Sequence, residues 1–416
     1  MPKLAQSITP LRLVALVCAA QVLVQIGAFT WPALLPGFIE RWSLSNSEAG
    51  WITGIFYASY TLSVPILVTL TDRLDPRTVY LSGVALTVLS HLGFATVADG
   101  FWGAATARVL GGIGWAGTYM TGLKLLADRV DLRLMSRAVA GHAASLGVSG
   151  ALSFVVAGTI ANWLGWRAAF ASAAVCAVCA WLIVFLVGPS PTRNPQATAG
   201  ADRLFDFRPV LRNRSAMAYA IAYCAHTWEL NALRGWAVAF LAYVAAYARE
   251  SQPWIAPTVI ATAIGLVGTW ASVAGNELSI RVGRQRLVRL SMAGSICCAA
   301  VIGFFAAAGY AFACGLVLLY GFFVWLDSSS LTAGAAGAAV AQRRGATLAL
   351  HSMFGYAGGF IGPLAIGWIL DLAGGMSPFG WGLAFLHIAI VMLIGRLCFN
   401  WLRPDDLAGD RNSARR

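Results

Sequence analysis

Charge is scarce in this chain. Of its 416 residues only 11% are Asp, Glu, Lys or Arg, while 59% are hydrophobic. A water-soluble chain carries about 25% charged residues, so an ordinary soluble domain is excluded. Alternating apolar and polar segments of about 10 residues are missing too, which excludes a membrane β-barrel. Every glycine-rich stretch sits in an apolar run rather than at a strand-to-helix turn in water, so nothing cradles a nucleotide phosphate. Cys176 and Cys179 have the spacing of metal ligands, but no histidine or second cysteine pair accompanies them. All eight cysteines lie in apolar runs, where a thiol behaves as a small hydrophobe. Without a zinc pattern or a nucleophile–base set the expectation is no enzyme and no cofactor. The net charge of +12 does not point to nucleic acid, because most of the arginines cluster in loops between apolar runs.

What the chain has in abundance is long apolar sequence, with a mean hydropathy of +0.72. A helix needs about 20 mainly apolar residues to cross a bilayer. Twelve such runs are predicted, near 11–39, 48–71, 77–97, 100–126, 136–163, 168–188, 214–247, 255–278, 286–307, 310–339, 346–373 and 380–402. The first resembles a signal peptide, but it continues well past "VCAAQ" and is too long for one. The longest gap is rich in Pro, Gly and Arg. It divides the chain into an N-terminal six-helix bundle (1–188), a linker (189–213) and a C-terminal six-helix bundle with its tail (214–416). Lys3, Arg73, Arg77, Arg129, Arg133, Arg137, the linker arginines, Arg281, Arg284, Arg286, Arg289, Arg343 and Arg344 fall on one side of these runs. Little beyond Arg41, Arg167 and Arg249 falls on the other. The positive-inside rule then puts both termini and the linker in the cytoplasm. An all-α, polytopic protein of the cell membrane is expected, the inner membrane if the source is bacterial, and it is expected to be a monomer.

Two basic loops repeat across the halves: "VTLTDRLDPRTVYL" after the second run and "GNELSIRVGRQRLV" after the eighth. The chain resembles the major facilitator superfamily of secondary transporters over nearly its whole length. The family's loop signature is Gly-x-x-x-Asp-Arg-x-Gly-Arg-Lys/Arg. Asp72 and Arg73 match it and Arg77 matches a later basic position, while Val68, Asp75 and Pro76 depart from it. In the second copy Gly283 and Arg284 match and Ile280 replaces the Asp. "RVLGGIGWAG" resembles the family's Arg-x-x-x-Gly signature, and "LGWRAAF" and "RGATLALHSMFGYAGGFIGPLAIGWILD" are also family-like. The antiporter Gly-Pro signature is absent from "GHAASLGVSGALSFVVAG". The resemblance implies two six-helix bundles, alternating access, and a gating role for Asp72, Arg73, Arg77, Gly283 and Arg284. Asp72 would latch the cytoplasmic face by docking on a helix N-terminus near Gly345.

The ionisable residues inside the apolar runs carry the most information, since each costs about 2.5–3.5 kcal/mol on insertion scales. Those singled out as path lining are Arg108, Lys124, Glu229, Arg234 and Asp327. All fall in the fourth, seventh and tenth runs, which in this family line the central path with the first. The first contributes Gln21, Gln25 and Trp31 instead. Two of the charges share "HTWELNALRGW", His226 to Trp236, with a histidine and an asparagine. Glu229 and Arg234 are five residues apart, about 140° around a helix, so they cannot readily satisfy each other. His226 and Glu229 are i,i+3 neighbours and can meet. The glycines at 111–117 and 355–367 read as close-packing positions. His142 and His351 are within reach of the path.

A guanidinium suits a carboxylate or another oxyanion. Arg234, Asn231, His226, Arg108, Lys124 and Gln25 are therefore the candidate substrate contacts. Glu229 and Asp327 are the candidate proton carriers, because removal from water favours the neutral acid. The expected function is proton-coupled movement of a small organic anion, with protons, the substrate and the bilayer as partners. Proton-coupled efflux of hydrophobic or cationic compounds is the alternative, served by Trp115, Trp228, Trp236, Phe323 and Trp325. A non-transporting signalling protein on the same scaffold is a third.

Overall fold

The computed structural model describes residues 9–71, 74–127, 132–187, 207–248, 253–340, 343–405, 407 and 410. Among these the regular structure is entirely helical. Eight of the described helices are long and apolar enough to cross a membrane. They are joined by the long helices Asn46–Leu70, Phe101–Ala127 and Arg214–Tyr247. Helix starts follow local chemistry. Pro occupies the first turn of Pro10–Gln25, Pro76–Thr96, Pro257–Val282 and Pro378–Leu402, where a missing N–H costs nothing. The side chains of Asp75, Asn213 and Ser377 accept from backbone N–H groups of the turns they open, as good N-caps do. Gly283, at φ 96°, closes Pro257–Val282 and opens Arg284–Ile302. A side chain is strained in that conformation.

The described residues form two compact units. The first takes residues 9–34 and 55–187; the second takes 35–54 and those from 207 onward. In the first unit Pro76–Thr96 packs on Phe101–Ala127 and Trp166–Val187, and Pro10–Gln25 packs on Leu132–Leu164 and Trp166–Val187. A Cβ on Gly83 would stand 2.8 Å from the Gly117 backbone, so these two helices meet main chain to main chain, as small-residue faces permit. In the second unit Arg214–Tyr247 is central. It packs on Arg344–Leu372, Pro378–Leu402 and Ser328–Ala338. There Gly355, Gly358 and Gly362 face the Tyr223 ring and the carbonyls of Cys224 and Trp228 with no room for a methyl group.

Two of the expected runs are broken. The first is helical over Pro10–Gln25, turns through residues 26–29, and resumes as Thr30–Ala33 and Leu35–Arg41. Pro32 and Pro36 account for this, since each removes a backbone donor from the i→i−4 ladder. The tenth is divided at Asp327 (φ −100°, ψ −6°) into Tyr310–Leu326 and Ser328–Ala338.

Candidate functional site

Three charged candidates of the second unit, Glu229, Arg234 and Asp327, lie on or near the middle of Arg214–Tyr247. His226 Nδ1 lies 3.1 Å from an Asp327 carboxylate oxygen, and both side chains are buried. The break in the helix at Asp327 supplies that carboxylate. Tyr223, one turn before His226, stacks on the His226 ring (centroids 5.6 Å apart, 17° between planes) and on His351 (4.0 Å, 15°). His351 Nε2 is 3.4 Å from the Thr332 hydroxyl. Two helices, Asp327 at the break and the segment after it therefore contribute to one aromatic and carboxylate cluster.

Glu229 does not use its i,i+3 neighbour. Its side chain is fully buried beside Tyr320, Ser295 and Asp327. Neither oxygen makes a hydrogen bond among the described residues, so the five-residue spacing to Arg234 does keep those two charges apart. Arg234 is half-buried, with its guanidinium 5.2 Å from the centre of the Trp325 ring. Asn231 donates to the Thr227 carbonyl at 2.9 Å, and its own amide oxygen is buried with no hydrogen bond among the described residues. Trp228 Nε1 donates to His387 Nε2 at 3.1 Å, and Trp236 Nε1 donates to the Pro363 carbonyl at 2.9 Å.

The first unit holds the other cationic candidates, each engaged with a helix terminus or break. The Ala28 carbonyl would ordinarily accept from the N–H of residue 32, which is proline. Arg108 Nη1 reaches that carbonyl at 3.2 Å instead, with the guanidinium 4.1 Å from the centre of the Phe56 ring. Arg108, Gln25, Ser90 and His91 line a small cavity with room for a water molecule. Gln25 Nε2 is 3.4 Å from the Thr118 hydroxyl. Lys124 Nζ binds the Thr71 carbonyl (3.1 Å) and hydroxyl (3.0 Å). Thr71 follows the C-terminal end of Asn46–Leu70, where cations are favoured.

Of the loop residues, Asp72 and Arg73 lie outside the described residues. Arg77 ties Pro76–Thr96 to Trp166–Val187 through a hydrogen bond to the Phe185 carbonyl, with its guanidinium 5.6 Å from the centre of the Phe185 ring. Arg284 is buried and binds Asn276 Oδ1 at 3.1 Å, the Ser330 carbonyl at 3.2 Å and Asp410 at 3.3 Å. Among the described residues no cluster of His, Cys, Asp and Glu could hold a metal ion.

The profile of the Major Facilitator Superfamily matches residues 17–333. The chain belongs to that superfamily. Within it, the chain is 24% identical to human (Homo sapiens) protein spinster homolog 1 over 291 residues, covering 66% of this chain and 54% of the human protein. It is 25% identical to protein spinster homolog 3 of Danio rerio over 236 residues, covering 55% of this chain and 47% of that protein. The match thus spans about half the length of these relatives. Among solved superfamily structures, a bacterial homolog of the human lysosomal transporter Spinster, inward-facing and unoccupied, superposes with a TM-score of 0.79. The identity is 15%, with 94% of this chain and 96% of that one covered. The nucleoside transporter NupG superposes with a TM-score of 0.74 at 13% identity, with coverage of 94% and 98%. These structures share the superfamily fold with this chain. The protein is accordingly a multi-pass membrane protein of that superfamily.

In this superfamily member the charged cluster also draws in Tyr223, Ser295, Tyr320 and Thr332, which the set of candidates read from the sequence omits. Tyr223 carried a usable signal, since it lies one helical turn from His226. Tyr320 and Ser295 carried none, because they reach the cluster from other helices, whereas Thr332 closes the polar run "DSSSLT" that opens at Asp327.

Proposed function

We propose that this protein is a proton-coupled secondary transporter that moves a small organic anion by alternating access. The observation that carries the proposal is the burial of two carboxylic acids: Asp327 against the His226 imidazole, and Glu229 near Asp327. Buried acids without a full set of hydrogen bonds are costly. In a membrane helix such residues mark ion and proton pathways. Asp327 and His226 share one proton as a pair, and Glu229 stores a second proton next to the hydroxyls of Tyr320 and Ser295. Arg234 is the cation that meets the substrate, with Asn231 and His226 as its polar neighbours. The Arg234 guanidinium lies 5.2 Å from the centre of the Trp325 ring, and a guanidinium is the cation that suits a carboxylate. One structural relative is a nucleoside transporter. Nucleosides are uncharged polar solutes, so neutral substrates belong in the same screen.

The test is uptake of radiolabelled organic anions into proteoliposomes holding the purified protein, with and without an inward proton gradient. Accumulation that requires both the gradient and Arg234 is expected. Unchanged anion uptake by Arg234→Ala would remove the binding role. Gradient-independent accumulation would remove the coupling.

A further inference from the structure

The second copy of the basic loop has lost its acid: Ile280 stands where the first copy has Asp72. Arg284 nevertheless remains, and its side chain is only 6% exposed. It is also the first residue of Arg284–Ile302, at the positive end of that helix, where a cation is unfavourable. A guanidinium out of water at such a place demands a counter-charge.

The counter-charge comes from 126 residues downstream. Pro378–Leu402 ends at Arg403 in a left-handed conformation (φ 48°), which turns the chain back along the second unit. The Pro404 carbonyl accepts from Gln285 Nε2 at 2.6 Å, and the Asp405 carboxylate accepts from the Ser215 hydroxyl at 2.7 Å. Leu407 lies against Gly337. Asp410, 7% exposed at its side chain, then meets Arg284 Nη2 at 3.3 Å. The other arm of the same guanidinium binds Asn276 and the Ser330 carbonyl. Arg284 thus connects Asp410 to the segment Ser328–Ala338, which begins one residue after Asp327.

We propose that Asp410 replaces the acid missing from the second loop and is a positioning residue: through Arg284 it holds the Ser328–Ala338 segment in place after the Asp327 break. The role is independent of which solute or ion the protein carries.

Hydrogen–deuterium exchange of the full-length protein tests this without a substrate. In Asp410→Asn, amides of residues 330–338 are expected to exchange about tenfold faster, in line with local opening of one segment. Exchange in the first unit should stay unchanged and serves as the internal reference. Asp410→Glu keeps the charge and should restore protection. The double variant Arg284→Gln/Asp410→Asn should exchange no faster than Arg284→Gln alone, since the two residues act as one pair. Wild-type protection in Asp410→Asn would overturn the proposal. So would failure of Asp410→Glu to restore protection, or full additivity in the double variant.

Discussion

His226 Nδ1 and an Asp327 carboxylate oxygen are 3.1 Å apart, joining two helices at a point where both side chains are out of water. Removing one partner of such a pair leaves the other as an unpaired buried group, whereas a neutral isostere keeps the shape. Asp327→Asn is therefore expected to fold and to bind solute, but to lose accumulation driven by a proton gradient. Solute exchange between equal pools on the two sides should persist. Proteoliposomes assayed in both modes would show the split, and equal loss in both modes would assign Asp327 to binding or folding instead.

Glu229 offers a different contrast. Its oxygens lie beside Tyr320 and Ser295 without a hydrogen bond of ordinary geometry, and burying a carboxylate there is costly. Glu229→Gln keeps the volume and removes the charge. Its thermal midpoint in detergent should not fall below that of wild type, while gradient-driven uptake drops by about tenfold or more, the scale of losing a titrating group. Glu229→Ala, which leaves a buried void, should lower the midpoint by an amount corresponding to about 1–3 kcal/mol.

Much of this architecture was legible in the amino-acid sequence, and the limits have physical causes. The apolar runs announced the helices because bilayer thickness sets their length. The Gly355–Gly362 stripe announced a close helix contact because only a missing Cβ permits one. Helical arithmetic correctly separated Glu229 from Arg234, since that relation is local. It offered Glu229 to His226 as a neighbour, yet the imidazole turned to Asp327, and a pairing across 101 residues has no periodicity to reveal it. Asp327 was readable as an acid in the tenth run; in the structure it also stands at a break between two helices. Arg108 was read as a substrate contact, and Pro32 was the overlooked clue that the Ala28 carbonyl would need a side-chain donor.

The glycine stripe makes a sharp prediction. A methyl group on Gly358 would run into the Cys224 carbonyl oxygen, and one on Gly362 into that of Trp228, whereas Gly315 has open space around it. Gly358→Ala and Gly362→Ala should each cost about 1–3 kcal/mol, the usual range for overpacking, and reduce the yield of folded protein. Gly315→Ala should be neutral. Size-exclusion profiles and thermal midpoints of the three variants would decide it.

Asp371, near the end of Arg344–Leu372, caps the start of Asn46–Leu70. Its two oxygens accept from the Asn46 and Ser47 backbone N–H groups at 3.0 and 2.7 Å, and from their side chains at 2.8 and 2.5 Å. A carboxylate on the first N–H groups of a helix is worth about 1–2 kcal/mol. Asp371→Ala should lower the thermal midpoint by a few degrees, and Ser47→Ala by less. An unchanged midpoint for Asp371→Ala would show that the cap contributes nothing to stability.

Pro32 leaves the Ala28 carbonyl without its backbone donor, and Arg108 supplies one from a different helix. The guanidinium thus serves as a prosthetic amide, and the contour of one helix is held by a side chain rooted in another. A shift of either helix must redraw the other. The link runs from a guanidinium to a carbonyl, and neither group changes its charge in the physiological range. It is a mechanical coupling that the proton gradient across the membrane leaves untouched.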